Sequence, residues 1–319
     1  VGLGRIGRVH LEAVSAEGAE PVAIVEPREE AARSLAEHRG LVWARSLEDP
    51  RLPGGLEAAV VATPPSTHPE LVRRLLETGV HVLCEKPLAL TSREAREMLD
   101  LARRRGLVLM MASKFRYLDE IVEAKRLLEA GTLGRPLLLE NAFCSKVPMK
   151  DRWNARKEVA GGGVLIDNGT HSADIARNLL GPVVEVQAHC GPSYQGLEVE
   201  DTARLLLRTR GGALGSIDLS WSLDKELDRY LAVYGTKGTL LVGWQGARYR
   251  QDGGSWVPFG RGYDKVGCLR AQFADFLAVI RGEAAPRMTA EDALASVEVI
   301  EAAYASAAEG RWVRVGEEG

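Results

Sequence analysis

Four short apolar runs in the first third of the chain alternate with stretches of helical periodicity. The runs are PVAIVE (21–26), AAVVATPP (58–65), VHVLCEKP (80–87) and LVLMM (107–111). Ala32, Leu35 and Ala36 recur at helical spacing after the first run, and Leu71, Val72, Leu75 and Leu76 after the second. Ala95, Met98, Leu99 and Ala102 do so after the third, behind a capping-box spacing of Thr91 and Glu94. Strands that are apolar throughout need cover on both faces. Strand–helix alternation supplies it in one way, as a parallel sheet flanked by helices.

Beyond about residue 118 the pattern changes. Strand-like runs at 136–144, 183–190, 202–209, 213–221, 230–235 and 238–244 follow one another with few helices between them. Several alternate in polarity, which predicts a mostly antiparallel sheet with one covered face. Helices are expected at roughly 118–130, 171–180, 266–281 and 289–308, the first two closed by Gly131 and Gly181. A length of 319 residues exceeds one small core, so two domains are expected, 1–118 and 119–319. The last helices are expected to pack back toward the first domain.

Composition excludes several function classes. A net charge of −3 gives no basic stripe for nucleic acid, and no apolar run is long enough to span a bilayer. Cys84, Cys144, Cys190 and Cys268 are scattered, which reads as four reduced thiols rather than a metal or disulfide framework. A cytoplasmic location is the expectation.

The spacing Gly2-x-Gly4-x-x-Gly7 falls just ahead of this alternation. In that context it predicts a dinucleotide site, with backbone N–H groups close to a pyrophosphate at a helix N-terminus. Glu26 lies nineteen residues after Gly7, at the end of the next strand, and suits both adenosine-ribose hydroxyls. A carboxylate there repels a 2′-phosphate, so NAD is expected over NADP. Arg28 is placed to stack on adenine or to grip that phosphate. Thr63, Pro64 and His68, and then Glu85, Lys86 and Pro87, end the next two strands, where ligands gather in open α/β sheets. GGGVLIDNGTHSADIARNLLG (161–181) holds Asp167, His171 and Asp174. Taken alone, Asp167 reads as the cap of a helix starting near Asn168, and His171 as a core histidine.

The segments GLGRIG, ATPPSTHPEL, GVHVLCEKPLA and GGGVLIDNGTHSADIARNLLG together, in this order and spacing, resemble the Gfo/Idh/MocA oxidoreductase family over essentially the whole chain. The resemblance implies an N-terminal Rossmann domain with a parallel sheet and a C-terminal α/β domain built on a large, mostly antiparallel open sheet. It implies hydride transfer between a secondary hydroxyl of a sugar, cyclitol or nucleotide-sugar and NAD(P). Carried over by position, it makes Lys86, Asp167 and His171 the catalytic set. It places Gly2, Gly4, Arg5, Ile6, Gly7, Glu26, Arg28, Thr63, Pro64, His68, Glu85 and Lys86 at the cofactor. Arg116, Trp153 and Asn154 are substrate candidates read from the residues: Trp153 fits an apolar wall for a sugar ring and core packing equally, and Arg116 a substrate or cofactor contact or a surface or junction residue. The family pattern has a full strand before Gly2, so the chain is expected to begin inside it.

On this reading His171 takes the hydroxyl proton, because an unperturbed imidazole titrates near neutrality. Lys86 stabilises the developing alkoxide and Asp167 orients its partners. Convergence of Lys86 with Asp167 and His171 over the nicotinamide is the corresponding expectation. Two other readings stay open: an NAD-using glycoside hydrolase of the same family, and a non-catalytic NAD-binding regulator. Too few helices remain in the second half to cover both faces of its sheet, so a homodimer or homotetramer built through the open face is expected.

Overall fold

The computed structural model describes residues 1–316. It forms two compact units, Val1–Lys114 with Lys265–Ala293, and Phe115–Asp264 with the chain from Leu294 on. The border at Lys114 lies four residues before the change of pattern at about 118.

The first unit runs α1 (Arg5–Ala16), β1 (Ala23–Val25), α2 (Glu29–Arg39), β2 (Val42–Ala44), β3 (Ala58–Val61), α3 (His68–Glu77), β4 (His81–Glu85), α4 (Ser92–Arg105) and β5 (Leu109–Ala112). β1 pairs with β2, and β3, β4 and β5 pair in that order, all parallel. Val1 and Gly2 join the two sets. The Val1 nitrogen donates to Val60 O at 2.7 Å, Ala62 N–H to Val1 O at 2.8 Å, and Gly2 N–H to Val25 O at 2.8 Å. The capping box forms as its spacing predicts. Thr91 Oγ1 accepts the Glu94 N–H at 3.2 Å and donates to the Glu94 carboxylate at 2.9 Å. β2 is an addition to the expected strands, three residues being too few to show a period.

The second unit contains α5 (Asp119–Glu129), β6 (Pro136–Cys144), α6 (Lys157–Ala160), α7 (Val164–Leu180), β7 (Val183–Cys190), β8 (Thr202–Thr209), β9 (Leu214–Ser220), β10 (Leu231–Gly235), β11 (Gly238–Val242), β12 (Ala247–Gln251) and β13 (Val257–Phe259). After α8 (Lys265–Ile280) come α9 (Ala290–Glu309) and β14 (Val313–Arg314). One nine-stranded sheet takes the order β13-β12-β11-β10-β6-β9-β8-β7-β14. Only the β6–β9 pair is parallel. β12, β13 and β14 went unseen in the sequence: β13 and β14 are short edge strands, and β12 (ARYRQ), paired between β11 and β13, buries little and carries no apolar alternation.

β8 shows the alternation directly, with Ala203, Leu205 and Leu207 buried and Arg204, Leu206 and Arg208 exposed. α7 lies on the inner face, where Ser172 donates to Asn141 Oδ1 at 2.5 Å and Asn141 donates to Tyr230 O at 2.9 Å. α8 belongs to the first unit and packs on α1 and β4, whereas α9 from Leu294 on belongs to the second.

Candidate active site

In the first unit the glycine loop is held by close backbone packing. Gly2 has φ +85°, and a Cβ there would stand 2.8 Å from both Ala62 O and Thr63 Cγ2. A Cβ on Gly7 would overlap the Gly2 carbonyl, so strand end and helix meet without side chains between them. Gly4 caps α1 with no side chain bonded to the cap, and a Cβ there would meet nothing within 4 Å. Unclaimed helix N–H groups beside open space fit a dinucleotide pyrophosphate.

Glu26 is 3% exposed, and its Oε2 accepts the Leu3 N–H at 2.8 Å. Its Oε1 accepts Arg28 Nε at 2.7 Å and the Arg28 backbone N–H at 3.2 Å. Burial works against the charge, but the bonds from Arg28 and Leu3 outweigh it and hold Glu26 below its ordinary carboxylate value. The Arg28 side chain is itself exposed. The acid thus reaches a ribose only in competition with its own arginine.

His68 departs from the expected role. It is fully buried, with Nε2 on Thr63 O and Nδ1 on Pro87 O, each at 3.0 Å. It is a strut between the loops after β3 and β4, not a surface that a cofactor touches. Thr63 and Pro64 remain half-buried at the loop, with Thr63 against Gly2. Glu85 is likewise buried, bonded to His10 on α1 at 2.7 Å, so it too is internal. Lys86, the next residue, is half-buried.

In the second unit α7 starts at Val164, well before Asn168, so Asp167 stands within the first turn and is not the cap. The cap comes from far along the chain. Glu200 Oε1 accepts the N–H groups of Gly163 and Leu165, each at 3.0 Å, and its carbonyl accepts Val164 N–H at 2.9 Å. Tyr304 donates to the same oxygen at 2.8 Å. A Cβ on Gly162 would overlap the Tyr304 hydroxyl and one on Gly163 the Glu200 carbonyl, which explains the glycine run. Asp167 and His171 then lie one turn apart on one face, both half-buried. Phe115 meets the His171 ring edge-on, with centroids 5.2 Å apart.

Arg116, a substrate candidate in the sequence, is buried within its unit. Its guanidinium is buried in a forked bond to Asp174, with Nη2 2.6 Å and Nε 2.9 Å from Oδ1. Trp153 is exposed and Asn154 half-buried, on the short turn at Trp153–Ala155 ahead of α6. A cavity of about 290 Å³ on the outer sheet face, lined by Cys144, His189, Arg204, Asp218 and Lys225, holds none of these groups. Sequence reading missed His10 and Glu200. His10 had a signal, since it follows Gly7 by three and precedes Ala13 by three on the buried face of α1. Glu200 had none, because its partners are more than thirty residues away.

A parallel-sheet unit with an open glycine loop, paired with a unit carrying acid and imidazole on one helix, defines a dinucleotide-dependent oxidoreductase. Residues 1–113 match the oxidoreductase family with an NAD-binding Rossmann fold, and residues 121–241 the GFO/IDH/MocA C-terminal domain. The chain belongs to the Gfo/Idh/MocA family, and NAD is its cofactor. It is similar to the rhizopine catabolism protein MocA of Rhizobium meliloti, 29% identical over 307 residues that make up 95% of this chain and 92% of that protein. It is 30% identical to myo-inositol 2-dehydrogenase of Thermotoga maritima over 253 residues, 76% of this chain and 73% of that one. The solved structure of GenD2 from gentamicin A biosynthesis in complex with NAD superposes with a TM-score of 0.87 at 28% identity, covering 99% of this chain and 95% of that one.

Two outcomes are expected. Glu26→Gln keeps an acceptor for Leu3 but loses the charge. It should weaken NAD+ binding about tenfold, roughly 1.4 kcal/mol, and narrow the gap to NADP+ in fluorescence titrations. The second concerns pH. Burial holds His68 below the ordinary histidine value, against the pull of its bonds to Thr63 and Pro87. The folded state therefore binds the proton less readily than the unfolded chain, so stability falls as pH drops below about 6.5 until the folded state also protonates. Urea midpoints for the wild type should decline relative to His68→Gln between about pH 7 and 5.

Proposed function

We propose that this NAD-dependent oxidoreductase oxidises a ring secondary hydroxyl of a sugar or cyclitol, with Lys86, Asp167 and His171 as its catalytic groups. The observation that carries the reading is the pairing on α7. Asp167 and His171 share one half-buried face, one turn apart, with the imidazole edged by Phe115. The relationship to myo-inositol 2-dehydrogenase supports the substrate class.

When bound, the nicotinamide supplies the hydride acceptor. His171 takes the hydroxyl proton on an imidazole nitrogen, as a general base. The Lys86 ammonium stabilises the negative charge that grows on the oxygen as the carbon–hydrogen bond weakens. Asp167, one turn below His171, holds the imidazole in its working orientation and balances its positive charge once the proton has moved.

Lys86→Ala should lower kcat about a hundredfold or more, because the charge it opposes exists only near the transition state. His171→Ala should lower kcat and flatten the pH profile while leaving NAD+ affinity within a few-fold. The measurement is reduced-nicotinamide absorbance with myo-inositol, free hexoses and UDP-linked hexoses. Net NADH formation from a free polyol also separates this activity from transient oxidation during glycoside cleavage. An unchanged kcat in Lys86→Ala overturns the assignment.

The same reading includes assembly through the outer face of the nine-stranded sheet and action in the cytoplasm. Among the described residues no helix is long and apolar enough to cross a membrane. Leu138, Leu206 and Leu214 are 46%, 40% and 45% exposed on that face. Leu138 and Leu214 are in register on neighbouring strands, so the apolar area is continuous, and a second copy of the chain is its occupant. Light scattering should give a dimer or tetramer for the wild type and a monomer for Leu138→Lys combined with Leu214→Lys. A monomeric wild type at working concentration overturns the assembly.

A further inference from the structure

Glu85 and Lys86 are adjacent, yet the first is buried and the second half-buried. The Glu85 carboxylate is 9% exposed as a residue, and both its oxygens are occupied. Oε1 lies 2.7 Å from His10 Nε2, and Oε2 accepts the backbone N–H of Lys86 at 3.1 Å. His10 is 2% exposed on the inner face of α1, in line with Gly7 and Ala13. Bonds and charges from His10, with Lys86 and Lys114 nearby, outweigh burial and keep Glu85 ionised. An ionised carboxylate only accepts, so His10 Nε2 carries the proton and donates.

A buried pair of this kind is a costly way to gain stability, since apolar side chains of similar size often serve as well or better. What it supplies is geometry. One carboxylate ties the peptide entering Lys86 to a specific point on α1. That point lies six residues beyond the Gly4 cap, or roughly 9 Å along the helix at about 1.5 Å per residue. The head of α1 is where the cofactor pyrophosphate fits.

We infer that His10 is a positioning residue: acting through Glu85, it fixes the peptide that carries Lys86 to the helix on which the cofactor is seated. The amine and the cofactor loop are thereby held on one frame. The inference rests on Lys86 being the catalytic lysine.

The test reads Lys86 itself. Reductive methylation of the full chain with 13C-formaldehyde gives each lysine its own NMR signal, and Lys86→Arg identifies that of Lys86. In the wild type, NAD+ should shift this signal. In His10→Leu the signal should move toward those of exposed lysines and lose its response, while the NAD+ dissociation constant stays within about threefold. His10→Gln, which can present a donor at the same place, should restore both signal and response. On a turned-over polyol, His10→Leu should lower kcat at least tenfold with KM for NAD+ nearly unchanged. A folded His10→Leu with an unaltered Lys86 signal and response overturns the inference. Should His10→Leu fail to fold, His10→Leu/Glu85→Leu removes both buried polar groups together, and the same criteria apply. A wild type that oxidises none of the polyols overturns the catalytic reading of Lys86, while the NMR signal still decides whether His10 positions it.

Discussion

The end of a strand or helix leaves backbone N–H and C=O groups without ladder or helical partners, and burying one unpaired costs about 1–3 kcal/mol. In this chain ionisable side chains meet that need at several loops of the candidate site. Glu26 takes the N–H of Leu3, Glu85 that of Lys86, and Glu200 those of Gly163 and Leu165. His68 spans the carbonyls of Thr63 and Pro87. Glu120 accepts Gly262 N–H at 2.6 Å, next to Tyr263, which stacks on the Phe115 ring that edges His171. The loops of the candidate site are therefore tied by side-chain bonds, those to the carboxylates charge-assisted, rather than left to turn propensity.

Two buried pairs do most of the orienting. Arg116 and Asp174 join the turn at Lys114–Tyr117 to α7. Asp174 lies three residues past His171 and seven past Asp167, so its bond fixes the rotation of the helix about its axis and with it the face on which both groups stand. His10 and Glu85 act in the same way on the end of β4. Losing one member of such a pair strands a buried charge at a cost of about 3–5 kcal/mol, which makes these positions far less forgiving than the exposed helix pairs such as Arg33 with Glu37.

Legibility followed the range of the interaction. The parallel and antiparallel halves were readable because apolar periodicity records which faces are buried. Thr91 with Glu94 was readable because both members of a capping box lie within one turn. The glycine loop, Glu26, the Glu-Lys-Pro segment and the spacing of Asp167 and His171 were visible as local patterns. β2, β12 and the edge strands β13 and β14 were not, being too short or too polar to leave a period.

The sequence by itself determined where the covered strands and helices fall and that a dinucleotide loop belongs to this chain, while Lys86, Asp167 and His171 drew their roles from the family resemblance. Only the tertiary structure decided what each polar residue does there. Arg116 went to Asp174, His68 to two carbonyls and Glu85 to His10, and the start of α7 moved to Val164 because Glu200 caps it. The reason is that burial and hydrogen-bond partners set a polar group's role. Apart from Thr63, five residues from His68, those partners lie 58, 19, 75 and 37 residues away along the chain, at separations where no local pattern constrains them.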